Sequence, residues 1–145
     1  NYGHPDHIKV HTVGVRAAEM VAGELTGLRV FEATVNRDAL VAMIAEAGEA
    51  GMGAFGDEDE AFDPNAPADD GNPIGMAEAE LTHEVDVADH IAAKRSAIEC
   101  HRSQVTDTGF FLAMPPEMFS AAFGREWYIE RGRQPGMRAG WLFDR

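Results

Sequence analysis

A single cysteine, Cys100, is all the chain has, so no intrachain disulfide can staple it. That suits a reducing, cytoplasmic setting, and Cys100 falls inside a predicted helix as a buried, inert thiol rather than a nucleophile. No apolar run approaches the roughly 18 residues of a membrane span, and no secretory signal is visible in these residues. Positive charge is scarce too, with 12 Lys and Arg against 25 Asp and Glu and a formal charge of −13. A phosphate backbone or an anionic bilayer demands a basic surface, so neither nucleic acid nor membrane is read as a partner.

What is present is ordinary for one globular domain: 145 residues, 45% hydrophobic and 8% aromatic, enough for a core. Residues from about Asp6 to Glu24 read as a helix with Asp6 as N-cap and Gly27 beyond its end. Val10, Val13, Ala17, Met20 and Val21 form its core-facing stripe. Leu28 to Val35 alternates with β-branched and aromatic residues and predicts a strand. Asn36 then caps a helix running through Leu40, Met43, Ile44 and Ala47 to about Gly48. This order points to an α/β layered domain.

Gly51 to Gly75 breaks the pattern, holding seven acids and three prolines with no Lys or Arg. It reads as a solvated loop insertion, mobile or lid-like. A calcium loop counted from Asp57 fails, because its sixth and twelfth positions hold Phe62 and Ala68. Leu81 to Val87 predicts a short strand. Asp86 then caps a helix reaching about Gln104, with Ile91, Ile98 and Val105 on its apolar face. Met118 to Phe123 suggests a last amphipathic helix stopped by Gly124, and the tail from Arg125 reads as an arm lying over another surface. His83, His90 and His101 sit in these patterns as surface or packing residues.

The chemistry gathers at the N-terminus, in Tyr2-Gly3-His4-Pro5-Asp6-His7. Two imidazoles and a carboxylate crowd around a proline at a helix start, and neutral imidazole is both a metal ligand and a proton carrier near pH 7. The plainer alternative is a Pro5-Asp6 turn and cap with solvated histidines. His11 lies four residues after His7, on the same helical face, which is a metal-ligand spacing.

This hexapeptide resembles the second signature of the PIG-L/LmbE family of metal-dependent N-deacetylases. Val85-Asp86-Val87 with Lys94 to Ile98, His101 to Val105, and Phe123 to Ile129 with Trp141-Leu142-Phe143 fit the same family in the same order. The resemblance implies a Rossmann-like α/β sheet with flanking helices, present as the C-terminal portion. The family's first signature, an A-H-P-D-D-E stretch carrying a His and an Asp for the metal and an Asp as general base, is absent. On that reading residues 1–145 are the C-terminal part of one deacetylase-like domain, with the acidic insertion at 51–75. The resemblance implies that the N-terminal half of the site is missing from these residues.

The resemblance implies hydrolysis of an N-acyl amide, with His7 as the third ligand of a zinc ion, or of another divalent metal such as Fe2+. It makes His4 the imidazolium that stabilises the oxyanion or protonates the departing amine, Asp6 the carboxylate that orients His4, and Tyr2 a phenol facing the oxyanion. His11 is left as support or helix filler. The substrate is an N-acyl amino sugar or a thiol conjugate, as for the mycothiol-pathway deacetylases and conjugate amidases of actinobacteria. Arg102, Ser103 and Gln104 border the pocket or merely end a helix. Two rivals remain: a non-catalytic docking module derived from such an enzyme, and a self-contained histidine metal site. Any ordered form is expected to pack against its N-terminal half or another chain, a homo-oligomer included.

Overall fold

The computed structural model describes residues 3–49, 63–68, 70–101, 109 and 111–143. The first helix, α1, spans Pro5–Val21. Pro5 suits the first turn, where its missing N–H leaves no bond unmade, and Asp6 adds a carboxylate at the positive end. The N-cap is His4, not the predicted Asp6, because the imidazole itself accepts the Asp6 N–H. The helix stops at Val21, whose carbonyl accepts the N–H groups of Glu24 and Leu25 in a closing turn.

Strand β1, Phe31–Thr34, is the centre of the predicted 28–35 strand, and α2 follows at Arg37–Glu49. Asn36 caps α2 as read from the sequence, its Oδ1 accepting the Ala39 N–H at 3.1 Å. Burial of Asn36 costs little, because its amide also donates to Glu78. Strand β2 spans His83–Asp86. Asp86 takes the Ala88 N–H as an end cap, but the chain makes a short 3-10 turn at Ala88–His90 before α3, Ile91–Glu99. The helix therefore ends before the predicted Gln104, and Val105 lies outside the described residues. Helix α4 is Pro116–Phe123, stopped at Gly124.

The tail from Arg125 is the main correction to the sequence reading. Arg125–Glu130 is strand β3, and it pairs antiparallel with both β1 and β2. The short β4, Arg138–Ala139, lies parallel to β2. The four-stranded mixed sheet has the order β1-β3-β2-β4, flanked by helices in an α/β arrangement. Phe31, Ala33, His83, Val85, Glu126 and Tyr128 fall on one face by register. Leu81, Val85, Val87, Met114 and Phe119 are buried, and Phe119 stacks against Phe123 with ring centroids 4.7 Å apart. Lys94 and Arg95 of α3 reach across to carbonyls of Phe123, Met114 and Leu112, which fixes α3 beside α4.

Two further expectations change. The α1 stripe is not covered by the described residues: α1 contains no buried residue, and Val10, Val13 and Met20 are 72%, 60% and 68% exposed. Cys100 is exposed rather than buried, because α3 ends at the residue before it. About half of the acidic insertion, residues 51–62 and 69, lies outside the described residues. Its later part makes tight turns: Asp63 accepts the N–H groups of Asn65 and Ala66, and Pro67 bridges Pro73. Met76 ties the segment to the sheet by accepting from Arg37 N–H and donating to the Val35 carbonyl.

Candidate functional site

Gly3 brings the signature into place. It is buried with φ of +80°, a conformation open to glycine and strained for other residues. An added Cβ would stand 2.6 Å from the Asp70 backbone N and 3.0 Å from its carboxylate carbon. The end of the acidic segment therefore lies directly on the signature loop. Asp70 is held in a tight turn, its carboxylate accepting the Asn72 N–H at 3.0 Å, and that bond keeps its pKa low.

His4 Nδ1 accepts the Asp6 N–H at 3.2 Å, while the Asp6 carboxylate stands 4.0 Å from the same nitrogen. Accepting that bond requires an unprotonated Nδ1, so neutral His4 carries its proton on Nε2. Both the backbone N–H and the carboxylate of Asp6 thus lie on the Nδ1 side of the His4 ring. His7 lies one turn on, its ring 5.6 Å from that of His4 and tilted by 57°. Tyr2 lies outside the described residues, as do Arg102, Ser103 and Gln104.

His11 is engaged with the sheet. Its Nε2 donates to Glu32 of β1 at 3.1 Å, and the other Glu32 oxygen accepts from Arg131 at 2.6 Å. Among the described residues, no three His, Cys, Asp or Glu side chains converge to hold a metal ion. A catalytic zinc takes about three protein ligands, so the described donor set does not make such a centre by itself.

Two other polar clusters sit on the opposite sheet face. Glu130 receives both Arg29 nitrogens, at 2.7 and 3.0 Å, with Arg133 at 3.5 Å and His83 at 3.7 Å. The Arg29 bond holds its carboxyl at about 2. Burial pushes the His83 imidazole down, and its ring meets Phe31 edge-on at 5.2 Å. Further along the face, Tyr128 donates to Glu126 at 2.5 Å and Lys94 pairs with Glu126 at 2.8 Å. Burial, then that hydrogen bond, pushes the phenol up to about 12. These groups edge a cavity of about 630 Å3 walled by Val35, Leu40, Met43, Ile74, Phe111 and Phe123. Lys94 and Tyr128 are both spent on Glu126, and none of the described signature residues lines the cavity, which separates it from the signature.

The signature geometry acquires meaning from relatives. A protein of Streptomyces avermitilis named 1D-myo-inositol 2-acetamido-2-deoxy-alpha-D-glucopyranoside deacetylase is 34% identical over 150 aligned positions, which cover 99% of this chain and 50% of the relative. Proteins of the same name from Nocardioides sp. and, as deacetylase 1, Frankia alni are each 30% identical. They cover 88% and 94% of the chain, and 43% and 48% of the relatives. The chain is homologous to these deacetylases. The PIG-L/LmbE resemblance read from its residues is thereby borne out. The chain spans about half the length of the curated relatives it matches. No protein-family model matches it, and no solved structure does. Among the described residues no helix is long and apolar enough to cross a membrane.

Sequence reasoning missed Asp70 and Glu32 as neighbours of the signature helix. Asp70 lies 67 positions from Gly3 and Glu32 lies 21 from His11, so neither contact leaves a local pattern. The one available signal was the Asp70-Gly71-Asn72 run, a turn by composition.

Proposed function

We propose that the chain supplies one side of the active site of an N-deacetylase, which hydrolyses the acetamido group of an amino sugar linked to inositol. The observation that carries this reading is homology over nearly the whole chain to deacetylases named for that substrate. The reaction releases acetate and leaves a free amine. A thiol conjugate of such a sugar is the wider substrate class. The Rossmann-like layering belongs to the whole enzyme in this reading. The mixed sheet here forms an antiparallel flank of the kind that doubly wound sheets carry at an edge.

His4 is assigned the developing charge. Protonated, it stabilises the tetrahedral oxyanion or passes a proton to the leaving nitrogen, with the Asp6 carboxylate holding the imidazolium. Tyr2 is the candidate second donor to that oxygen. His7 is assigned as one ligand of a zinc ion, with Fe2+ as the alternative, the other ligands coming from outside the described residues. Bound zinc would make water nucleophilic near neutral pH. The exposed stripe of α1 favours a partner surface, either the rest of the enzyme or a second copy of the chain.

The described residues fall short of three metal ligands, which favours one second reading, a docking module without catalysis. Release of acetate from N-acetylglucosaminyl inositol by the full-length enzyme, followed with and without added zinc, separates the two. Zinc-dependent release supports the deacetylase, and its absence under both conditions supports the docking module.

A further inference from the structure

We propose that Glu32 and His11 form the joint that positions α1, and with it His4 and His7, against the sheet. The idea rests on the functional reading above only in treating His4 and His7 as site residues.

Packing holds α1 only weakly among the described residues, since none of its side chains is fully buried and only Val15, Ala18 and Val21 are half-buried. A helix in that situation takes its position from its ends and from polar ties. One end is the Gly3 contact with Asp70. The tie along its length is His11, whose Nε2 donates to Glu32 at 3.1 Å. Glu32 is itself fixed. It sits in β1 opposite Ile129 of β3, and its second oxygen takes the Arg131 guanidinium at 2.6 Å. Burial pushes the Glu32 carboxyl up, but its bonds to Arg131 and His11 outweigh this, so its pKa is lowered and it stays ionised. Arg131 also feels the carboxylate of Glu19, about two turns beyond His11 on α1. The network thus meets α1 at His11 and the sheet at β1 and just beyond the end of β3.

His7 and His11 are one turn apart on the same face, about 6 Å along the axis. Fixing the His11 ring fixes the rotation of the helix about its axis, and that rotation decides where the His7 ring points. The i,i+4 spacing that resembles a pair of metal ligands therefore divides into one site residue and one positioning residue.

The test uses the full-length protein, with nitrogen-15 spectra of its histidine rings and hydrogen exchange of the α1 amides. His11→Ala and Glu32→Ala are expected to move the His4 and His7 ring signals in the same direction. Exchange through the helix should quicken about fivefold, the factor that losing one such pair is worth. His11→Gln keeps a donor and should restore most of the signal positions. Arg16→Ala removes another surface pair of α1 and should leave the rings unmoved. Should an alanine variant fail to fold, Glu32→Gln keeps the shape and the acceptor, loses the charge, and should still shift the rings. His7 signals that stay in place in folded His11→Ala and Glu32→Ala overturn the proposal. Acetate release is assayed separately in the full-length enzyme. Its failure counts against the deacetylase reading and leaves the spectral result standing.

Discussion

Gly3 touches Asp70 so closely that the two positions admit no side chain between them, with the Asp70 N only 2.6 Å from where a Cβ would stand. Gly3→Ala therefore meets two penalties, the left-handed backbone and the collision. Gly27 shares the backbone geometry, φ +79°, with nothing within 4 Å. Gly27→Ala should cost about 1 kcal/mol, and Gly3→Ala clearly more. Urea unfolding of both variants checks the difference. Equal costs would show that the loop gives way without loss.

Acid should weaken the protein in two stages. His83 is pushed below its ordinary 6.5, chiefly by burial, so the unfolded chain takes up a proton that the folded one refuses. Stability then falls as the pH drops below about 6.5. Glu130 is held at about 2 against an ordinary 4.5, first by Arg29. Its contribution is complete above 4.5 and is lost as the pH falls through about 2. Urea midpoints measured from about pH 3 to about pH 8 should decline across both windows. His83→Gln should flatten the upper one. Glu130→Gln should flatten the lower one and cost about 2 kcal/mol near neutrality, the order of a charged hydrogen-bond set.

Tyr128 and Tyr2 are the two tyrosines of the chain, which makes the phenol beside Glu126 measurable by absorbance. In Tyr2→Phe the phenolate signal should rise with a midpoint of about 12. Adding Glu126→Gln removes the carboxylate that accepts its proton, and the midpoint should move down toward the ordinary 10.0. Lys94→Met should cost about 2 kcal/mol, between the exposed and buried limits for a broken ion pair. An unmoved tyrosine midpoint in the double variant would contradict the Glu126 hydrogen bond.

The division of labour between the two signature histidines is testable in the full-length enzyme. His7→Ala should lose zinc and activity together, while His4→Ala should keep zinc and lose mainly turnover, because its role is confined to the transition state. The 145-residue chain alone should bind zinc weakly and deacetylate nothing. Calorimetric zinc titration and metal content beside acetate release test all of these. Tight, stoichiometric zinc in a stable monomer of this chain would revive the self-contained histidine site.

Local chemistry made much of this legible. The Asn36 cap, the centre of β1, the β2 strand and the Pro116–Phe123 helix all follow from short-range patterns. Strand β3 did not, because Arg125-Glu126-Trp127-Tyr128-Ile129-Glu130 puts charges on both faces. Apart from Arg133 beside Glu130, those charges meet distant partners such as Lys94, Glu84 and Arg29. The cap of α1 was misread for a related reason: Asp is the commoner N-cap, but Pro5 leaves Asp6 as the first N–H donor of the helix, and the preceding imidazole reaches it. In the signature, residue types spoke plainly. The neighbours that hold it, Asp70 and Glu32, could be found only in three dimensions.

The chain after β3 has a consequence of another kind. Gly136, Arg138 and Gly140 donate in turn to the carbonyls of Leu81, Thr82 and Glu84, and Arg29 grips the Leu142 carbonyl at 2.9 Å. The strand at this margin, β4, is only two residues long, which blunts the edge against further pairing. At the other margin stands β1, with β3 as its neighbour in the strand order. The longer edge open to a further strand, of the same protein or of another, is therefore the one that carries Glu32, beside the helix that carries the histidines.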